Sequence, residues 1–161
     1  MLDKRKFYIN GKWVSPSKPN DLDVIDPCTE ETVAVISLGS KDDTNAAVSA
    51  AKTAFESWKE SSKEERVALL EKLLTIYKKR YSEMVDAISL EMGAPTDWSK
   101  DVQTASGQSH IEDFILRLKE FEFDKKFSPE SNNRICYEPI GVCGLITPWN
   151  WPINQIGLKV V

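Results

Sequence analysis

Apolar residues change their spacing several times along this chain, and each change marks a different kind of element. From residue 7 to 38 they come in short runs broken by turn formers. Phe7-Tyr8-Ile9 and Trp13-Val14 flank Asn10-Gly11. An Asn-Gly pair between β-type residues supplies the left-handed positions of a tight turn, so this stretch predicts a hairpin. Ser15 to Asp21 is rich in turn residues. Val24-Ile25 and Thr32 to Leu38 then predict two more short strands on either side of Asp26-Pro27.

Over residues 41–60 the period becomes helical, through Ala46, Ala47, Ala50, Ala51, Ala54, Phe55 and Trp58. Ser40 with Asp43 three residues on has the pattern of a capping box. A stripe made mostly of alanine predicts a helix lying close to its neighbour. Ser62 and Glu65 repeat the capping pattern, followed by Val67, Leu70, Leu73, Leu74 and Tyr77. The same face runs on through Met84, Val85 and Ile88, which predicts one helix continuing to a stop at Gly93 and Pro95. A third helix is expected over 98–121, with Val102, Ile111, Phe114, Ile115 and Leu118 on its apolar positions.

Residues 122–133 are polar and turn-like, and Arg134 to Pro139 reads as a strand. Val142 to Thr147 is almost entirely apolar, the pattern of a strand covered on both faces of a parallel sheet. Pro148 to Pro152 turns the chain, and Ile153, Ile156, Leu158, Val160 and Val161 open a helix. A lone parallel strand followed by an opening helix lacks βα partners. Because the chain stops on Lys159-Val160-Val161 without a cap or polar tail, the expectation is a truncated chain.

Composition narrows the function classes. The 161 residues carry a net charge of −4, so no overall basic field favours nucleic acid or an anionic membrane. No apolar run approaches the length of a membrane span and no secretory signal is visible. Cys28, Cys136 and Cys143 show no metal-ligand spacing, and there is one histidine. A sparse, odd number of cysteines suits a reducing compartment, and the cytoplasm is the expectation. Cys143, mid-strand in an apolar run, is expected to be an inert core residue. His110 is expected to be structural or exposed, and Glu64-Glu65 a solvated first helical turn.

The run Glu138-Pro139-Ile140-Gly141-Val142-Cys143-Gly144-Leu145-Ile146-Thr147-Pro148-Trp149-Asn150-Trp151-Pro152 resembles the aldehyde dehydrogenase superfamily, in which a strand delivers a Pro-Trp-Asn-aromatic-Pro turn to the active site. The resemblance extends less sharply over Phe7 to Trp13, over Asp26-Pro27 with Thr29-Glu30-Glu31, over Phe55-Glu56-Ser57-Trp58, over Glu65-Arg66 and over Glu91 to Pro95. It implies an α/β fold: an incomplete Rossmann-type cofactor domain with N-terminal short strands and a helical segment. Residues 1–128 would form the N-terminal part of that domain, 129–140 the start of an oligomerisation arm, and 141–161 the first strand and helix of the sheet.

By the same resemblance, the reaction is oxidation of an aldehyde to a carboxylic acid with NAD or NADP through a cysteine thiohemiacetal. Asn150 would donate its side-chain amide to the developing alkoxide. On turn propensity alone it reads as a residue that shapes the turn. Ile146, Thr147, Pro148 and Trp149, with Asn150, match the segment that lines the cofactor; Ile146 and Trp149 also read as packing. Lys159 matches a proton-relay lysine in parts of the family, or is a solvated helix lysine. The family's nucleophile and general base come later than residue 161, so the chain alone is expected to be inactive. The parent enzyme would be a homo-oligomer, and exposed strand edges make self-association of this chain plausible. The alternatives are a non-enzymatic remnant, an interaction fragment needing a second chain, and a stand-alone helical binding module.

Overall fold

A computed structural model describes residues 1–161. Short strands come first: β1 (Leu2–Lys4), β2 (Phe7–Ile9), β3 (Lys12–Val14), β4 (Asp21–Ile25) and β5 (Thr32–Ser37). The hairpin β2–β3 turns on Asn10 and Gly11, both at positive φ (52° and 73°), as its Asn-Gly pair demands. β5 is the middle of a separate three-stranded sheet. It runs antiparallel to β4 and parallel to β1, with Leu2 opposite Ala34 and Val24 also opposite Ala34. The β1 strand carries no hydrophobic alternation and was not expected from the sequence.

Helix α1 (Lys41–Trp58) begins on a complete capping box between Ser40 and Asp43. The buried Asp43 carboxylate accepts the main-chain N–H groups of Ser17 (2.8 Å) and Ser40 (2.9 Å), so the same side chain pins the preceding loop. The alanine stripe does not pack as expected. Ala46, Ala47, Ala51 and Ala54 are exposed, and only a shallow hollow separates this face from Tyr8 to Gly11.

The expected long helix is two helices, α2 (Lys63–Lys79) and α3 (Tyr81–Met92). Arg80 stands between them at φ −104°, ψ 19°, its N–H shared between the carbonyls of Ile76 and Tyr77. No glycine or proline announces this break. Gly93 ends α3 in the left-handed conformation at φ 69°. The next helix has three contiguous parts: α4 (Thr96–Trp98), a π-helical turn (Ser99–Thr104) and α5 (Ala105–Glu120).

The core lies on Val85 and Ile88 of α3, which packs on the π turn, and on Ile111, Ile115 and Leu118 of α5, which packs on α2 and α6, with a smaller buried patch at Ala34 and Val35 of β5. Phe114, expected inside, is exposed. Residues 122–133 are not all turn: β6 (Asp124–Lys126) pairs antiparallel with β7 (Arg134–Cys136). Helix α6 (Pro152–Val160) packs across α5.

Val142 to Thr147 forms no strand, against expectation. The segment pairs with none of the sheets and is exposed, and Cys143 with it. Cys143 is thus a surface thiol and not a core residue. No helix is long and apolar enough to cross a membrane.

Candidate functional site

The Pro148–Pro152 turn is held from beneath by the π turn and by α5. Hydrogen bonding from i to i+5 widens a π turn, so residues four and five apart share one side. Ser99, Gln103 and Thr104 accordingly all point inward and are the most thoroughly buried side chains in the protein. Gln103 donates through Nε2 to the main-chain carbonyl of Asn150 at 3.3 Å. Ser89 donates to Ser99 Oγ at 2.9 Å, which ties the π turn to α3.

Asn150 is exposed, and the bond from Gln103 uses its carbonyl, leaving the side-chain amide available. Trp151 follows as the N-cap of α6, with Pro152 in its first turn, where a missing N–H costs nothing. The Trp151 ring meets Trp98 edge to face, centroids 6.3 Å apart. Helix α6 then crosses α5 very closely. A Cβ on Gly157 would sit in ordinary contact, 3.7 Å from Gly107 Cα, whereas one on Gly107 would press on Ile153 Cγ1 of α6 at 2.8 Å. The Asn154 amide nitrogen lies 2.9 Å from His110 Nε2, which makes that ring nitrogen the acceptor. His110 is therefore structural, a latch between α5 and α6.

Thr147, Pro148 and Trp149 face Met84, Ala87 and Met92 of α3 across a largely apolar cavity of 560 Å³. Ile146 lies outside it and is 87% exposed. Lys159 sits in the exposed last turn of α6, its ammonium bonded to Gln155 Oε1. Helical rise puts it about 10 Å along the axis from Pro152. The structure therefore places Thr147, Pro148 and Trp149 on this cavity, with Asn150 next to it in the chain but not lining it, and leaves Ile146 and Lys159 apart.

Sequence reasoning missed Gln103 and Trp98. Neither carries a local signal, since each matters only through residues about fifty positions away in the chain. Gly107 did carry one: a glycine inside a helical pattern costs about 1 kcal/mol relative to alanine, which suggests a packing reason.

The family profile described as "Aldehyde dehydrogenase family" matches residues 13–161. Among curated relatives, a 3-succinoylsemialdehyde-pyridine dehydrogenase from a Pseudomonas species is 41% identical over 99% of this chain and 33% of its own length. A putative aldehyde dehydrogenase from Staphylococcus epidermidis is 39% identical, with the same coverage of each. The crystal structure of an aldehyde dehydrogenase from Bartonella henselae superposes with a TM-score of 0.97 at 56% identity, over 99% of this chain and 34% of that one. A mutant aldehyde dehydrogenase C from Pseudomonas syringae, solved with NAD+ and octanal, gives 0.92 at 40% identity, over 97% and 32%. The chain spans about a third of the length of the relatives it matches.

Proposed function

The chain belongs to the aldehyde dehydrogenase family, and on that premise we propose that it takes part in oxidising an aldehyde to a carboxylic acid with NAD or NADP. Its own share is the oxyanion donor, Asn150, and one wall of the cofactor site. The observation that carries this reading is the turn itself. Asn150 is held through its carbonyl by Gln103 while its side-chain amide is exposed and makes no hydrogen bond.

As the aldehyde carbon is attacked, its oxygen gains negative charge. An amide N–H held at that oxygen stabilises the charge in the transition state, and asparagine donates without titrating. Thr147, Pro148 and Trp149 fit a cofactor wall: their cavity has the size of a small-ligand site, and its lining is apolar with few polar groups. The bound dinucleotide would supply the hydride acceptor. Ile146 and Lys159 stand away from this wall, so the reading rests on Thr147, Pro148, Trp149 and Asn150 and gives Lys159 no step.

In this reading residues 1–128 belong to the cofactor domain, 129–140 open an oligomerisation arm and 141–161 begin the Rossmann-type sheet of a homo-oligomeric cytoplasmic enzyme. The nucleophile and the general base come from polypeptide outside the 161 residues. The bare run from Val142 to Trp149 supports the same view, since its exposed Val142, Leu145, Ile146 and Trp149 are apolar surface that a partner strand would cover. That partner is either continuous with this chain or a second chain.

NADH formation from several aldehydes tests the proposal. The purified 161-residue chain is expected to give no turnover, and steady turnover abolished by Asn150→Ala would overturn that. In the protein at the length the cell makes it, Asn150→Ala is expected to lower kcat by about 10²- to 10³-fold. An unchanged kcat removes the oxyanion role.

A further inference from the structure

Gln103 is an expensive residue for its place. It is 2% exposed, its Oε1 has no partner, and the neighbouring Thr104 Oγ1 has none either. A buried polar atom left unpaired costs about 1–3 kcal/mol. A methionine would fill the same volume without that cost. The one bond the Gln103 side chain makes is the 3.3 Å contact from Nε2 to the carbonyl of Asn150, 47 residues further on. That carbonyl belongs to an exposed turn with no regular structure before it back to β7. Trp151 is held by Trp98 and by the Gln155 N–H on its carbonyl, but for Asn150 the Gln103 bond is the one side-chain tether. The π turn is what aims Gln103: its widened geometry brings Gln103 and Thr104 to the same inner side as Ser99.

We infer that Gln103 is a positioning residue, which holds the Asn150 main chain so that its side-chain amide keeps one direction. The functional consequence rests on the reading of Asn150 as the oxyanion donor. A displacement of about 1 Å at such a donor costs roughly 10²-fold in rate, so a loose turn would weaken an otherwise intact site.

The test compares wild type with Gln103→Met and Gln103→Leu, which keep an apolar side chain in the packing but cannot donate. Backbone ¹⁵N relaxation on the 161-residue chain reads the turn directly. The N–H vectors of Trp149 and Asn150 are expected near an order parameter of about 0.85 in wild type and below about 0.6 in both variants. Ile111 and Ile115 are expected to stay unchanged. Unaltered order at Trp149 and Asn150 overturns the proposal, and so does an equal loss at Ile111 and Ile115, which would make Gln103 a core-packing residue.

In the protein at the length the cell makes it, Gln103→Met should lower kcat roughly ten- to hundredfold while leaving KM within about twofold. If Asn150→Ala leaves kcat unchanged while Gln103→Met still loosens the turn, the oxyanion reading fails and the tether stands. If Asn150→Ala lowers kcat and a loosened turn does not, the positioning role is overturned.

Discussion

The Tyr77 hydroxyl donates to the main-chain carbonyl of Thr104 at 2.8 Å, and Tyr81, one helical turn on, does the same for Lys100 at 2.6 Å. Both phenols thus reach main-chain carbonyls of the π turn. Their rings stack edge to face, 6.2 Å apart, across the break at Arg80. Burial pushes the Tyr77 phenol well above its ordinary range, so it stays protonated and donating at any physiological pH. The α2–α3 break and the π turn are thus joined: the helices on either side of Arg80 each present a phenol to a carbonyl of the π turn.

Gly107 is expected to be coupled to this bond. A Cβ there would lie 2.6 Å from the Tyr77 hydroxyl and 2.8 Å from Ile153 Cγ1. Gly107→Ala gains about 1 kcal/mol of helix propensity, but overpacking costs about 1–3 kcal/mol, and net destabilisation is expected. Tyr77→Phe removes the hydroxyl's bond to the Thr104 carbonyl, for a loss of about 0.5–1.5 kcal/mol. The double variant should lose less than the sum, because removing the hydroxyl makes room for the methyl. Urea midpoints of the four proteins check this, and strict additivity would refute the coupling.

Gly93 is expected to resist replacement for two separable reasons. Its φ of 69° costs a side chain about 1–2 kcal/mol. An added Cβ would also lie 2.6 Å from Cγ of Pro27, on the β4–β5 turn. Gly93→Ala should lower the melting midpoint, and the same change in a Pro27→Ala background should lower it less. Equal losses in the two backgrounds would leave backbone strain as the whole effect.

Asp43 should make this chain acid-sensitive. Main-chain N–H donation from Ser17, and then from Ser40, holds its carboxyl at about 2, against an ordinary 3.8. A depressed folded-state pKa stabilises above the unfolded value, and that stabilisation is lost as pH falls through 3.8 towards 2. The melting midpoint of wild type should therefore fall further over that window than that of Asp43→Asn. Parallel curves would show that the carboxylate contributes nothing that pH removes.

The bare segment from Val142 to Thr147 should make the 161-residue chain self-associate. It is uncharged and free of proline; Ile146 within it is 87% exposed and Trp149 just beyond it 78%. Such an edge pairs readily with another copy. Sedimentation velocity should show concentration-dependent association, reduced by Ile146→Lys. A lysine variant that sediments like wild type would place the association elsewhere.

Much of the local architecture was legible in the sequence. Asn10-Gly11 predicts the hairpin, Ser40 with Asp43 and Ser62 with Glu65 predict two helix starts, and Gly93 predicts a stop. All of these form as read. The turn at Pro148–Pro152 and the helix after it also lie where the residues indicate. Cys143 shows the limit: an apolar neighbourhood in sequence does not bury a side chain unless another strand arrives to cover it.

What the sequence determines alone is whatever a few neighbouring residues settle among themselves: a left-handed turn, a capping hydroxyl, the family signature of residues 138–152. The tertiary structure decides the rest. It breaks the helix at Arg80, winds Ser99–Thr104 into a π turn and brings Gln103 beneath Asn150. Each of these depends on partners far away in the chain, whose contact is set by packing rather than by local propensity. The pattern that marks Asn150 is therefore local, but the bond that holds it in place is not.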